Sequence, residues 1–189
     1  DVPMTREIYI DADDFAEVPP PKFFRLKPDG EVRLMGGYII KYAGIEKNED
    51  GSIKCIHATA DLETGNGMPA DGRKIKGTIH WLSTLDAVPA ELRHYEPLLA
   101  ETAADDAEAE AEAEAEGEYV GGAKDRDFLK TINPDSLKVV KGFVEPYIGN
   151  SEVGAAFQFL RMGYFCKDKD STAELPVFNR TVELNGLKL

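Results

Sequence analysis

The sequence predicts an all-β protein. Three observations carry that expectation: short runs of alternating apolar and polar residues recur along the chain, turn-forming clusters separate them, and few helical stretches interrupt them. Arg6–Ile10 alternates as a strand would, and Pro19-Pro20-Pro21 then form a stiff connector without backbone donors. Phe23–Leu26 reads as extended. Pro28-Asp29-Gly30 is a turn in which Pro presets φ and Gly tolerates a positive one. Glu31–Met35 and Tyr38–Ile45 follow as strands around Gly36-Gly37, and Asn48–Gly51 turns the chain into a strand over Ser52–Ala60. Thr64–Arg73 is a glycine-rich loop, and Ile75–Leu82 a further strand. Ala87–Leu99 fits a bent strand or a partial helix. Asp125–Ile132 reads as a short helix ended by Asn133-Pro134. Ser136–Val144 is a strand with Gly142 as a bulge, Glu145-Pro146-Tyr147 turn the chain, and Glu152–Phe157 lead into the terminal strands.

The tail, Ala156–Val182, is the most informative stretch. Phe157, Phe159, Tyr164, Phe165 and Phe178 alternate with Gln158, Arg161, Asn179 and Arg180. That pattern predicts strands with one packed face and one face open to a polar partner. Gln and Arg present planar, multi-pronged donors that suit the edges of unstacked bases.

A net charge of −13 argues at first against nucleic acid. The charge is unevenly placed. Residues 101–118 hold nine acids and no base, so the rest of the chain carries only −4. This alternating Ala/Glu tract reads as a solvated insertion, an inert spacer first and a bait for a basic partner second. No stretch reaches the roughly 20 apolar residues of a membrane span. The chain opens on Asp1 without an initiator Met or a signal-peptide pattern, as a piece cut from a longer protein would. Cys55 and Cys166 have no metal-type spacing and read as a reduced, intracellular pair.

Nothing in the sequence forms a catalytic motif. His57, His80 and His94 lack ligand spacing, and no HExxH, CxxC, G-x-S-x-G or P-loop is present. The expectation is therefore no catalytic residue, no metal and no cofactor within this chain. Basic and aromatic positions outside the acidic tract remain: Phe24-Arg25 after the prolines, Arg33 beside a turn, Arg73–Lys76, Lys138 with Lys141, and Gln158 with Arg161. Solvated strand edges explain such clusters as readily as a binding site does, and for Arg73–Lys76 that is the preferred reading.

The tail closely resembles the end of the C-terminal anticodon-binding region of glutaminyl-tRNA synthetases. TREIYID, FFRLKPDGEVRLMGGYIIK, PADGRKIKGTIHWLS, FLKTINPDSL and GFVEPYIG resemble the same region in the same order. Together they cover nearly the whole chain except the acidic tract. The resemblance implies two β-barrels of the ribosomal L25-like anticodon-binding type. Residues 1–18 with 167–189 would form an incomplete proximal barrel, and 19–166, with the insertion at 101–118, the distal one. It also implies site roles. Arg25 matches an arginine used on the third anticodon base, and Arg33, beside Leu34, one used on the first. Gln158 and Arg161 match a glutamine and an arginine used on the central uracil. Two positions depart from the pattern. Phe24 stands where the family has a lysine and is expected to stack on a base. Met35 replaces an arginine and cannot donate to the first base.

The implied partner is glutamine tRNA, bound in the cytoplasm through its anticodon loop, with no DNA and no membrane. ATP, magnesium and glutamine would belong to a class I catalytic domain that this chain lacks. Three other readings remain open at this point: the same region of a glutamyl-tRNA synthetase, an L25-like ribosomal RNA-binding protein, and a protein-interaction module built on the acidic tract.

Overall fold

Alternation and turn chemistry produce strands where they are strongest. The computed structural model describes residues 2–99 and 132–184. The chain divides into two units, Asp1–Ala87 and Val88–Leu189. The acidic tract 101–118 and nearly all of the expected helix Asp125–Ile132 lie outside the described residues.

In the first unit β1 (Ile8–Tyr9) is followed by a single 3-10 turn at Ala12–Asp14. Then come β2 (Glu31–Leu34), β3 (Ile39–Lys47), β4 (Ile53–Asp61), β5 (Thr78–Ile79) and β6 (Leu82–Ser83). A four-stranded sheet runs in the order β4-β3-β2-β5, and β1 pairs separately with β6. The N-terminal segment thus lies against Leu82–Ser83. Val32 and Leu34 alternate with Glu31 and Arg33 and drive into a core with Phe15, Leu26, Ile40 and Ile79.

The turn before β2 is closed by Gly30 N–H donating to Lys27 O at 2.9 Å. Its positive φ falls on Asp29 (57°) rather than on Gly30. Asp tolerates that region and Pro28 occupies the preceding position, as a type II turn wants. Phe23–Leu26 is not a strand. Only Leu26 makes a bridge, to Phe15. The expected strand Ile75–Leu82 is broken at His80-Trp81 into the two short pieces β5 and β6, which pair with different partners, β5 with β2 and β6 with β1.

The second unit holds β7 (Val88–Tyr95), β8 (Leu137–Val144), a one-turn helix α1 (Pro146–Gly149), β9 (Ala156–Phe159), β10 (Gly163–Lys167) and β11 (Val177–Val182). Among the described residues its strands form one sheet in the order β8-β7-β11-β10-β9. Val88–Tyr95 is a strand paired with β8 without a register shift, which settles the strand-or-helix choice there. Gly142 pairs in register with Ala90, so the expected bulge is absent. The irregularities fall instead at Tyr42/Gly44, Glu46/Lys47 and Tyr164/Phe165.

The tail behaves as its alternation requires. Phe165 and Phe178 are fully buried, and Phe157 and Phe159 pack on them edge-on or stacked. Among the described residues the protein is all-β as expected. The pairings give open sheets rather than closed barrels: no bond joins the first strand of a sheet to its last.

Candidate nucleic-acid interface

In the first unit the proline connector delivers Phe23–Leu26 to the core, where Leu26 is anchored. Its N–H donates to Asp14 O (3.0 Å) and its carbonyl accepts from Ala16 N–H (3.2 Å). That anchor places Arg25 over the 3-10 turn. Its Nη1 donates to Asp13 O at 2.8 Å, and its Nε lies 3.4 Å from Oδ1 of the fully buried Asp14. The guanidinium also sits 5.9 Å from the centre of the Phe23 ring. Phe24 is 55% exposed and lines an open groove of about 590 Å³ with Pro19, Pro20, Pro21, Lys74 and Lys76. A Cβ on Gly77 would fall on the Phe24 carbonyl oxygen, so only glycine lets that segment pass.

Arg33 projects from the middle of the sheet, flanked by β3 and β5. Its backbone N–H donates to Gly77 O at 2.9 Å. Its guanidinium fork is occupied by the protein itself: Nη1 donates to Gly65 O at 3.0 Å and Nη2 to Gly67 O. The glycine-rich loop is in turn staked at both ends. Asp61 accepts from the Thr64 hydroxyl (2.7 Å) and N–H (3.0 Å). Arg73 reaches Asp61, Asp71 and Glu31 at 2.8, 2.8 and 3.1 Å. Thr64 first and Arg73 second hold the Asp61 carboxyl well below the usual carboxylate range. Arg73 is therefore a loop clamp, neither a free cation nor a bare strand edge. Leu34 is fully buried, so its side chain anchors Arg33 from the core.

The second unit presents Gln158 and Arg161 from one hairpin. Gln158 points outward from β9, an edge strand, between the inward Phe157 and Phe159. Arg161 sits in the turn to β10, closed by Met162 N–H donating to Phe159 O at 3.0 Å. Its φ is +64°, the value that the third residue of a type II turn requires and that an arginine adopts only under strain. Gly163, at φ +132°, completes the turn, and a Cβ there would lie 2.5 Å from Val182 O.

Thus Gln158 and Arg161 share one hairpin, while Phe24, Arg25 and Arg33 gather around Gly77. Sequence reasoning missed Asp14, which holds Arg25, and the Gly65 and Gly67 carbonyls, which hold Arg33. A buried acid beside an arginine eleven residues away carries no local signal.

Two family models, both described as "tRNA synthetases class I (E and Q), anti-codon binding domain", match residues 1–61 and 78–168. The chain belongs to this anticodon-binding family. It is 48% identical over 185 residues to the glutamine–tRNA ligase of Vibrio parahaemolyticus, covering 97% of this chain and 30% of the relative. For the glutamine–tRNA ligases of Hamiltonella defensa and Proteus mirabilis the identities are 45% and 46%, covering 98% and 97% of this chain and again 30% of each relative. The chain thus spans about 30% of the length of the curated relatives it matches. In this anticodon-binding family member, one match contains Phe24, Arg25 and Arg33 and the other Gln158 and Arg161. The Arg33-holding loop falls between the two matches.

Among the described residues no helix is long and apolar enough to cross a membrane, and no group of three or more His, Cys, Asp or Glu is placed to hold a metal ion.

Proposed function

We propose that this chain is the C-terminal anticodon-binding portion of a glutaminyl-tRNA synthetase and grips the anticodon loop of glutamine tRNA. The observation that carries this reading is the β9–β10 hairpin. It displays Gln158 on an open sheet face, with Arg161 held at its tip in a backbone conformation that turn geometry alone would give to glycine. Strain of that kind collects at functional sites, and a planar fork at a hairpin tip suits the edge of an unstacked base.

Gln158 and Arg161 read the central uracil. Arg25 reads the third base with Phe24 stacking beside it. Arg33 reads the first base, with Leu34 fixing its register. Met35, 40% exposed, offers no donor there, so first-base discrimination rests on Arg33. Aminoacylation belongs to the rest of the ligase, which binds ATP, magnesium and glutamine in the cytoplasm. The proposed division of the chain, 1–18 with 167–189 against 19–166, is checked by a structure of the complete ligase.

The test is titration of the complete ligase with glutamine tRNA and anticodon variants. Arg161→Ala costs about 1–3 kcal/mol of binding and narrows discrimination at the central base. Equal loss for every variant would overturn the base-reading role and leave a phosphate contact.

A further inference from the structure

The outer face of the five-stranded sheet carries a row of side chains that neither the core nor the base-reading pair uses. Cross-strand register creates it. Gln158 on β9 stands directly opposite Tyr164 on β10. Opposed residues of an antiparallel pair share a face, with Cβ atoms about 5 Å apart. On β11, Thr181 donates its hydroxyl to the Tyr164 carbonyl at 3.1 Å. The parallel pairing of β11 with β7 sets Asn179 beside Arg93, and the period of two puts Tyr95 on that same face. Its hydroxyl donates to Asn179 Oδ1 at 3.2 Å.

Tyr164 is 44% exposed and Tyr95 49%, whereas Phe165 and Leu92, on the opposite face of the same two strands, are buried. The core therefore makes no use of these two rings. Asn179 steadies Tyr95 and is itself tied to Asp168. That leaves two aromatic rings open on a sheet face in line with Gln158.

We infer that Tyr164 and Tyr95 form a stacking platform for unstacked bases of the same RNA loop, taking nucleotides that flank the one Gln158 contacts. The inference rests on Gln158 being a base reader. Continuity commits the occupant to RNA: Tyr95, Gln158 and Tyr164 all lie within the stretch matched by an anticodon-binding family model. Every base has a π face, so stacking on tyrosine adds affinity without choosing sequence. The division of labour is then explicit. Gln158 selects, and the tyrosines hold the neighbours out of the loop's own stack.

The experiment uses the complete ligase and glutamine tRNA transcripts carrying 2-aminopurine beside the central anticodon base. Tyr164→Ala weakens binding roughly ten-fold, equally for cognate and variant anticodons. Tyr164→Phe keeps the ring and stays within about two-fold of wild type. Tyr95→Ala gives a smaller loss of the same kind. Emission of 2-aminopurine is quenched on wild type and Tyr164→Phe and recovers on Tyr164→Ala.

A folded Tyr164→Ala that binds like wild type overturns the platform, as does a Phe variant that loses as much as Ala. If Tyr164→Ala does not fold because another part of the ligase covers this face, wild-type emission decides: a base that stays bright on binding overturns the inference. Gln158→Ala, measured alongside, separates the two readings. Unchanged central-base discrimination there sinks the base reader. Lost discrimination with an inert Tyr164 sinks only the platform.

Discussion

The two candidate regions hold their side chains by opposite means. In the first unit the arginines are held by other side chains and by loop carbonyls. Arg25 leans on a buried carboxylate, and Arg33 spends both arms of its fork on Gly65 and Gly67. In the second unit backbone geometry sets both positions. Strand register aims Gln158, and a tight turn with a positive φ aims Arg161. A base approaching Arg33 must compete with two protein carbonyls, whereas Gln158 stands exposed on its face. The contrast predicts that the first region is sensitive to the loop and to the close approach at Gly77 that hold its arginines, while the second is sensitive to its own turn.

The largest effect expected in the first region is Gly77→Ala. Its Cβ meets a backbone carbonyl, which cannot rotate away as a side chain would. Destabilisation of about 3 kcal/mol is expected, read as a lower urea midpoint. Gly163→Ala is the counterpart in the second region and costs about 2 kcal/mol, since it adds left-handed strain to a 2.5 Å approach. A near-neutral result at Gly77 beside a large one at Gly163 would reverse the comparison.

Asp14→Asn keeps the shape of a buried side chain but removes the charge facing Arg25. A loss of about 2 kcal/mol is expected, with weaker discrimination at the third anticodon base in the complete ligase. Arg161→Gly has the opposite sign on stability. Relief of the positive φ stabilises the fold by about 1 kcal/mol while RNA binding falls. Loss of both stability and binding would show that Arg161 is structural.

Smallest of all is the pH response, and it also divides the units. Asp61 is held low by Thr64 and Arg73, so its contribution is complete above about pH 4 and is lost as pH falls through its depressed folded value. Asp61→Asn should remove that acid limb from urea-midpoint measurements. In the second unit burial lowers His94, whose ring packs edge-on against Phe165 at 5.6 Å. The unfolded chain then takes up its proton first. Stability falls as pH drops below about 6.5, until the folded ring protonates too. His94→Gln flattens that window and leaves the Asp61 limb in place.

The legible features were those decided by near neighbours. The aromatic tail announced its inward face because strand side chains alternate, and Phe165 and Phe178 are buried as that alternation demands. The Asn48–Gly51 turn joined β3 to β4 where its residues said it would. Misread features depended on distant partners. Phe23–Leu26 has strand-like residues, but Leu26 finds only an isolated bridge. Gly142 invited a bulge, yet its opposite neighbour Ala90 is small and buried, and the ladder runs through undisturbed. At the candidate site, the residue types were visible in the sequence and their holders were not.

By itself the sequence determined the all-β class, most strand positions and the polar residues of the outward strand faces, because turn preference and period-two burial act over a few residues. Tertiary structure alone decided which side chains share a face. Tyr164 meets Gln158, and Tyr95 reaches Asn179, only through register between strands, the latter two lying 84 residues apart in the chain. It likewise decided that the sheets stay open and that Arg33 is already engaged. Hydrogen-bond geometry between distant segments sets these features, and no local pattern of residue types encodes it.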